Sequence, residues 1–272
     1  MKRRNKSVNI FLHELKSNLK SAVIWALSML LLALIFILIY PSFAQGEVEM
    51  KNLLAGYPPQ VLKAFGFDLN ILFSPLGFYS LVFQYIVLCG SIQAMILGCL
   101  LISKEFTRKT ADFLMTKPVS RMAVISAKIS AGISSLIISF GLVVGLTWVL
   151  LIFLISQSIA FENYMKISIT FFLIEMMFFA IGVFVAVTVR KVKSVTGISI
   201  GTVVGFFVLG LLVSSGIVVD LRYLVPFKYY DYIKILGGNG FETNFVIINI
   251  LFVLITISVS YVIYIKSDIH AA

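Results

Sequence analysis

Residues 78–103 read FYSLVFQYIVLCGSIQAMILGCLLIS, and residues 104–121, which follow directly, read KEFTRKTADFLMTKPVSR. The first stretch contains no charged residue and is long enough for a helix to cross the ~30 Å hydrocarbon core of a bilayer. The second carries too many charges to lie within that core. Together they predict a membrane-spanning helix that ends in a charged loop at the membrane surface.

Five further apolar runs resemble residues 78–103, and the whole composition is that of a membrane protein. Hydrophobic residues make up 60% of the 272 residues and charged residues 12%, with a mean hydropathy of +1.04. Because the runs are continuously apolar, they are predicted to be helices rather than barrel strands. The predicted fold is all-α integral membrane, a single transmembrane domain. Its six predicted spans are 22–40, 78–103, 129–157, 167–189, 194–219 and 244–265.

Lysine and arginine are distributed unequally between the two sides of these spans. Sixteen lie before span one, in 104–128, in 190–193 and after span six, whereas six lie in the other loops. Basic residues accumulate in cytoplasmic loops, so both termini and residues 104–121 are expected to face the cytoplasm. The expected location is a cell membrane, the bacterial plasma membrane. The net charge of +10 is attributed to this bias and to anionic lipid, not to nucleic acid.

Residues 7–20 carry apolar side chains at helical spacing among basic and polar ones. A basic amphipathic helix of this kind lies in the membrane interface. We therefore expect residues 1–20 to form a cytoplasmic interface helix before span one, with a solvated lead-in as the alternative. The apolar residues that define the pattern are Val8, Phe11, Leu12, Leu15 and Leu19.

No catalytic, metal-binding or nucleotide-binding motif is present in the sequence. The two histidines, His13 and His270, lie outside the predicted spans, and there is no GxxxxGK[ST] loop to hold ATP phosphates. Cys89 and Cys99 are ~15 Å apart along one helix, too far for a disulfide. The chain is therefore expected to be no enzyme and to need no cofactor or metal.

Two features inside the spans invite a functional interpretation. Glu175 is the one acid well inside a span. It is either a functional intramembrane polar site or a carboxyl that faces a neighbouring helix, neutral or hydrogen-bonded. We favour the second interpretation. Gly197, Gly201 and Gly205 recur every fourth residue in span five, a spacing that allows another helix to approach closely. We expect this ridge to pack within the chain, with contact to a second subunit as the alternative.

The two long loops on the other side of the membrane carry prolines and aromatics. Prolines in residues 41–77 favour short helices over an unstructured loop. Tyrosines in residues 220–243 favour anchoring at the outer interface, with a role in handling substrate as the alternative.

The charged loop is predicted to contain a short surface helix. Ala111, Leu114 and Met115 share one apolar side, and Pro118 ends the helix because proline cannot continue it. An ordinary solvated basic loop is the alternative.

This loop also resembles a known family, the membrane subunits of ATP-binding-cassette exporters of the second type. The resemblance covers nearly the whole chain, because it extends to the amphipathic N-terminal helix, the six spans, the cytoplasmic termini and a membrane-dipping segment before span six. The chain departs from the family at Lys109, where a glycine is usual. The residues that carry the resemblance are Ser103-Lys104-Glu105-Phe106, Thr110, Leu114, Pro118-Val119-Ser120-Arg121 and Lys128.

The resemblance implies that residues 105–116 are a coupling helix that docks into a groove on a separate ATPase subunit. It implies two ATPase copies and two membrane subunits, identical or related, in contact with membrane lipids. Leu114 is expected to fill an apolar notch on the ATPase, Pro118 to fix the turn into span three, and Glu105 and Arg121 to pair with the ATPase or with the N-terminal helix. The implied coupling residues are Glu105, Thr110, Asp112, Leu114, Pro118 and Arg121.

The function expected from these observations is that of a permease subunit, driven by a separate ATPase. Sparse charge in the spans favours export of an apolar or amphipathic substrate. The alternative is a non-transporting membrane scaffold or sensor on the same six-span plan. An intramembrane enzyme is disfavoured because catalytic groups are missing.

Overall fold

A computed structural model of the chain describes residues 2–107, 120–155, 158–189, 194–216 and 219–266. These residues are helical almost throughout, and no β-strand occurs among them. The main helices are α1 (Lys2–Gln45), α2 (Glu47–Ala55), α3 (Pro59–Ala64), α4 (Pro75–Thr107), α5 (Arg121–Leu154), α6 (Phe161–Thr188), α7 (Val195–Ser214) and α8 (Thr243–Lys266).

Six of these helices are long and apolar enough to cross a membrane, namely α1 and α4 to α8. The predicted all-α fold with six membrane-spanning helices is thereby confirmed. The short helices predicted in residues 41–77 are also confirmed, since α2 and α3 lie there.

The two ends of the bundle carry different parts of the chain. Hydrogen bonds of α5 with α1, α4 and α8 bring the N-terminal part of α1, the last turns of α4, the start of α5 and the last turns of α8 to one end. We call this the terminal end. The helices α2 and α3 and the segment 219–242 lie at the opposite end, which we call the loop end.

Helix α1 is longer than the sequence predicted. The sequence predicted a separate interface helix before a span at 22–40, but one unbroken helix runs from Lys2 to Gln45. Neither glycine nor proline interrupts residues 2–40, and Pro41 lies close enough to the end of α1 that its missing N–H and steric clash affect only the last turns. Buried positions recur along one face, from Asn18 through Ala26 to Ile37. This face packs mainly against α5.

The most extensive contact between helices joins α4 and α6. A β-carbon at Gly98 of α4 would lie 2.4 Å from the carbonyl oxygen of Phe179, and one at Gly182 of α6 would lie 2.4 Å from that of Met95. Only glycine fits at these two positions, because the backbones themselves touch. Gly98 and Gly182 therefore form the close crossing at the centre of the bundle.

The glycine ridge predicted for span five does not pack within the described chain. No atom outside the local backbone lies within 4 Å of a β-carbon built at Gly201 or Gly205, and at Gly197 the near atoms belong to its own capping residue, Ser194. The expectation of packing inside the chain is thus wrong for the described residues. The reason is that α7 is buried along only a narrow face, and the ridge lies on its exposed side.

The aromatic segment between α7 and α8 packs into the bundle. The ring of Phe227 lies 5.2 Å from that of Phe178 in α6, and the ring of Tyr232 lies 5.7 Å from that of Phe83 in α4. Aromatic pairs at such distances stabilise a contact beyond the burial of their area. The segment therefore forms part of the core at the loop end.

Candidate functional site

The predicted coupling residues fall in two groups. Thr110, Asp112, Leu114 and Pro118 lie in 108–119, outside the described residues. Glu105 lies in the last turns of α4, and Arg121 is the first residue of α5. The structure therefore describes the two helices that the segment joins, and the site is built from their ends.

Ser120 begins α5, as serine often does at a helix N-terminus. Its side-chain oxygen accepts a hydrogen bond from the backbone N–H of Ala123 at 3.3 Å. This bond satisfies one of the donors that the first turn of a helix leaves free. The first turn of α5 is thus fixed directly after the coupling segment.

The start of α5 is tied to the last turns of α8. Arg121 donates from Nη1 to the carbonyl oxygen of Ile265 at 3.3 Å. Tyr261 donates from its hydroxyl to the carbonyl oxygen of Met122 at 3.0 Å, and it also hydrogen-bonds to Ser126. Movement of the beginning of α5 would therefore act on α8 through three polar contacts.

Lys128 links three helices, two turns after the start of α5. Its side chain is 1% exposed, and its Nζ donates to the carbonyl oxygen of Leu101 in α4 at 2.6 Å and to Oε1 of Glu14 in α1 at 3.2 Å. Taking a charge out of water is costly unless it is paired and hydrogen-bonded. The ammonium of Lys128 meets both conditions, so α1, α4 and α5 meet at one charged contact.

The acidic partner of Lys128 was not predicted from the sequence. The side chain of Glu14 is only 13% exposed, and Asn18, one turn further along α1, is buried as well. The sequence did contain a clue, because Glu14 is the only acidic residue before Glu47 and basic residues surround it. We had expected pairing with the N-terminal helix from Glu105 or Arg121. The contact of Lys128 with α1 adds to that expectation, and the pairing of Glu105 and Arg121 stays a prediction.

Glu175 lies in the middle of α6 and is fully buried. Within the described part of the chain, neither of its carboxylate oxygens has a hydrogen-bond partner. A β-carbon at Gly90 would lie 2.7 Å from its Oε1, so this glycine of α4 makes room for the carboxyl. Among the described residues there is no cluster of His, Cys, Asp or Glu that could hold a metal ion.

Four membrane-spanning helices, α1, α4, α5 and α8, therefore meet at the terminal end, where one buried and two partly buried polar contacts join them.

The comparison with known protein families agrees with this architecture. The family model described as ABC-2 family transporter protein matches residues 8–269, which is nearly the whole chain. No individually curated protein matches the sequence. The chain therefore belongs to the ABC-2 transporter family, and it is a multi-pass membrane permease of an ABC transporter.

Proposed function

We propose that the chain is one of two membrane subunits, identical or related, that together form the translocation pathway of an exporter. Two copies of a separate ATPase subunit bind and hydrolyse ATP. The substrate is apolar or amphipathic, since the described spans carry few charged side chains. Both termini and the coupling segment face the cytoplasm, where ATP is available.

The contact of Lys128 with both α1 and α4 is the observation that carries this proposal. It lies two turns into α5, close to the segment that would dock on the ATPase. A push on that segment moves the ends of α4 and α5. Lys128 then passes the displacement to α1, and the bonds of Arg121 and Tyr261 pass it to α8. The cavity between the two membrane subunits changes its opening as a result.

Within the coupling segment, we assign the anchoring role to Leu114 and the stop of the helix to Pro118. Thr110 and Asp112 complete the surface that meets the ATPase, with Glu105 and Arg121 at its two ends. An apolar side chain buried in a partner's groove contributes more to affinity than charges at an exposed rim.

Replacing Leu114 by Asp is expected to release the ATPase or to uncouple its ATP hydrolysis from transport. A buried apolar anchor typically contributes ~2 kcal/mol or more to binding, and a charge in its place would also be desolvated without a partner. The measurement is co-purification of the ATPase with the chain, together with ATP hydrolysis, in nanodiscs. The six-helix fold should remain intact in this variant.

The matched control for this experiment is Lys104→Ala, at the edge of the same loop. It should leave both ATPase binding and hydrolysis close to the wild-type level, since charges at the rim of an interface contribute little to affinity. Full ATPase binding and full transport in Leu114→Asp would show that the segment is only a solvated connection.

A membrane scaffold or sensor without transport activity is the second candidate function. One observation favours the scaffold or sensor function: most of α7 and α8 is exposed, which leaves a wide apolar surface for a partner in the membrane. ATP-dependent movement of a substrate across a vesicle membrane separates the two, as a scaffold would show none.

The proposed orientation predicts opposite labelling of two positions. In a background without Cys89 and Cys99, a cysteine at Lys109 should be protected in intact cells from a thiol reagent that does not cross the membrane. A cysteine at Gln60, in α3, should react. Labelling at position 109 in intact cells would show that this residue faces the outside, contrary to the orientation predicted from the distribution of Lys and Arg.

Glu175→Gln is expected to keep the fold and most of the transport activity. An ionised carboxylate is costly in apolar surroundings, and glutamine has the shape of the neutral acid, so it should fit beside Gly90 equally well. The measurement is transport rate normalised to the amount of folded protein. Loss of transport at normal expression would instead assign Glu175 to the translocation chemistry.

A further inference from the structure

A cavity of about 730 Å³ opens at the loop end of the molecule, away from the coupling segment. Four parts of the chain line it: residues 59–70 around α3, residues 80–84 of α4, residues 207–214 of α7, and residues 222–233 of the segment before α8. Its volume is within the range of cavities that hold small molecules.

The charged groups on the cavity wall are unbalanced in favour of positive charge. Lys63, Arg222 and Lys228 line it on the basic side, against Asp68 and Asp231 on the acidic side. Glu242 pairs with Arg222, so the charges that could act on a ligand are those of Lys63, Lys228 and Asp68.

Arg222 and Asp231 are already held by bonds within the protein. Arg222 donates from Nη2 to Oε1 of Glu242 and from Nε to the carbonyl oxygen of Lys228, both at 3.0 Å. Asp231 accepts at Oδ1 from the backbone N–H of Ile233 at 3.1 Å. These two groups have structural partners, so they are not the groups that would bind a ligand.

The ammonium of Lys228 is in a different situation. Within the described part of the chain it has no hydrogen-bond or ion-pair partner. Its stem packs against α7, where a β-carbon at Gly210 would lie 3.3 Å from its Cε. Burial lowers the pKa of Lys228, and the nearby Asp231 opposes that shift. The ammonium of Lys228 is thus a partly desolvated cation at the cavity wall, with Asp231 nearby but not in ion-pair contact.

Apolar side chains also line the cavity. Leu81 of α4, Phe207 and Leu211 of α7, and Phe227 of the following segment line it. Burial of an alkyl chain against such side chains contributes ~25 cal/mol per Å² of apolar surface removed from water. One cavity therefore combines the ammonium of Lys228, which has no ion pair among the described residues, with apolar side chains suited to an alkyl chain.

We propose that this cavity binds an anionic amphiphile, with its acidic head on Lys228 and its alkyl chain along Leu81, Phe207 and Leu211. The ligand is either a free single-chain acid or an anionic phospholipid of the bilayer, which share this chemistry. The site goes beyond the permease role. Binding of the amphiphile is measured without ATP and without the ATPase. The amphiphile site can therefore be refuted while the permease role stands, and the reverse is also true.

The test uses the full chain in an uncharged detergent, and the probe is dodecyl phosphate. Native mass spectrometry gives the dissociation constant of the first bound molecule. Lys228→Met should raise this constant about tenfold or more, as expected for loss of a charged hydrogen bond. Lys234→Met is the matched control; Lys234 is paired with Glu242 at 2.8 Å and does not line the cavity, so this variant should bind as the wild type does.

Three further arms make the result specific. Leu81→Trp, which narrows the cavity without changing its charge, should also weaken binding. Lys228→Arg keeps the cation and should retain binding, which controls for poor folding of Lys228→Met. Dodecyltrimethylammonium, with the same chain and a cationic head, should bind far more weakly. The proposal is overturned if Lys228→Met and Leu81→Trp both bind like the wild type, or if the cationic amphiphile binds equally well.

Competition distinguishes the two sources of the ligand. Displacement of dodecyl phosphate by phosphatidylglycerol supports the site with a bilayer lipid as its occupant. Displacement by dodecanoate but not by phosphatidylglycerol supports it with a free amphiphile. Displacement by inorganic phosphate alone, at equal concentration, would contradict the role given to the apolar wall.

Discussion

Replacing Gly182 by alanine should lower both the yield and the stability of the folded protein strongly. The added β-carbon would lie 2.4 Å from the carbonyl oxygen of Met95 and 3.0 Å from the backbone nitrogen of Cys99. Overpacking typically costs about 1–3 kcal/mol, and we expect at least the upper value here because backbone, not a movable side chain, is in the way. Monodisperse yield on size-exclusion chromatography and the thermal unfolding temperature measure the effect.

The matched control is the same change at Gly141, in the middle of α5. No atom outside the local backbone lies within 4 Å of a β-carbon at that position, and alanine is the better helix former. Gly141→Ala should therefore equal or slightly exceed the wild type in stability. Normal yield and stability of Gly182→Ala would mean that α4 and α6 do not cross as closely as described.

Lys128→Met should produce the second large effect, a loss of both stability and coupling. Removal of one partner from a buried ion pair typically costs about 3–5 kcal/mol, because the remaining charge is left buried. Here Glu14 in α1 would lose the ammonium of Lys128, and α4 would lose the hydrogen bond to the carbonyl oxygen of Leu101. Thermal unfolding of the purified chain reports stability, and ATP turnover per transported substrate reports coupling.

Lys166→Met is the control for the loss of a lysine from an ion pair. Lys166 pairs with Glu162 at 2.6 Å, but the side chain of Glu162 is 78% exposed, so the change should alter stability little. Equal unfolding temperatures for Lys128→Met and Lys166→Met would contradict the structural role given to Lys128.

The number and class of the membrane-spanning helices were predictable because their cause is local. A run such as residues 194–219 contains no charge, and in a bilayer an uncharged run of this length has no alternative to a helix. The extent of α1 was less predictable. The residues become less polar after Lys20, but this change in polarity does not end a helix. Helix boundaries are set by helix-breaking or capping residues, and α1 continues unbroken at this point.

The contacts between helices were not predictable, because they depend on residues far apart in the chain. Gly197, Gly201 and Gly205 have the spacing of a packing ridge, yet spacing shows only that a helix could approach. The glycines at the backbone crossing of α4 and α6, Gly98 and Gly182, lie in different helices and form no motif in the sequence.

The ion pair at the terminal end was not predictable from the sequence for the same reason. Lys128 was singled out from the sequence, but its partner Glu14 is 114 residues away. A buried ion pair over such a separation follows from the fold and not from any local pattern. The assignment of Thr110, Asp112, Leu114 and Pro118 to the coupling surface stays a prediction, as these residues lie outside the described part of the chain.

Purification of the tagged chain from its native membrane tests the central claim most directly. Mass spectrometry of the purified material identifies what accompanies the chain, and an ATPase assay shows whether that partner is active. We expect a subunit with an ATP-binding site in comparable amount, and we expect its recovery or its coupling to transport to fail with Leu114→Asp. A folded chain that is recovered repeatedly without any ATP-hydrolysing partner would contradict the account.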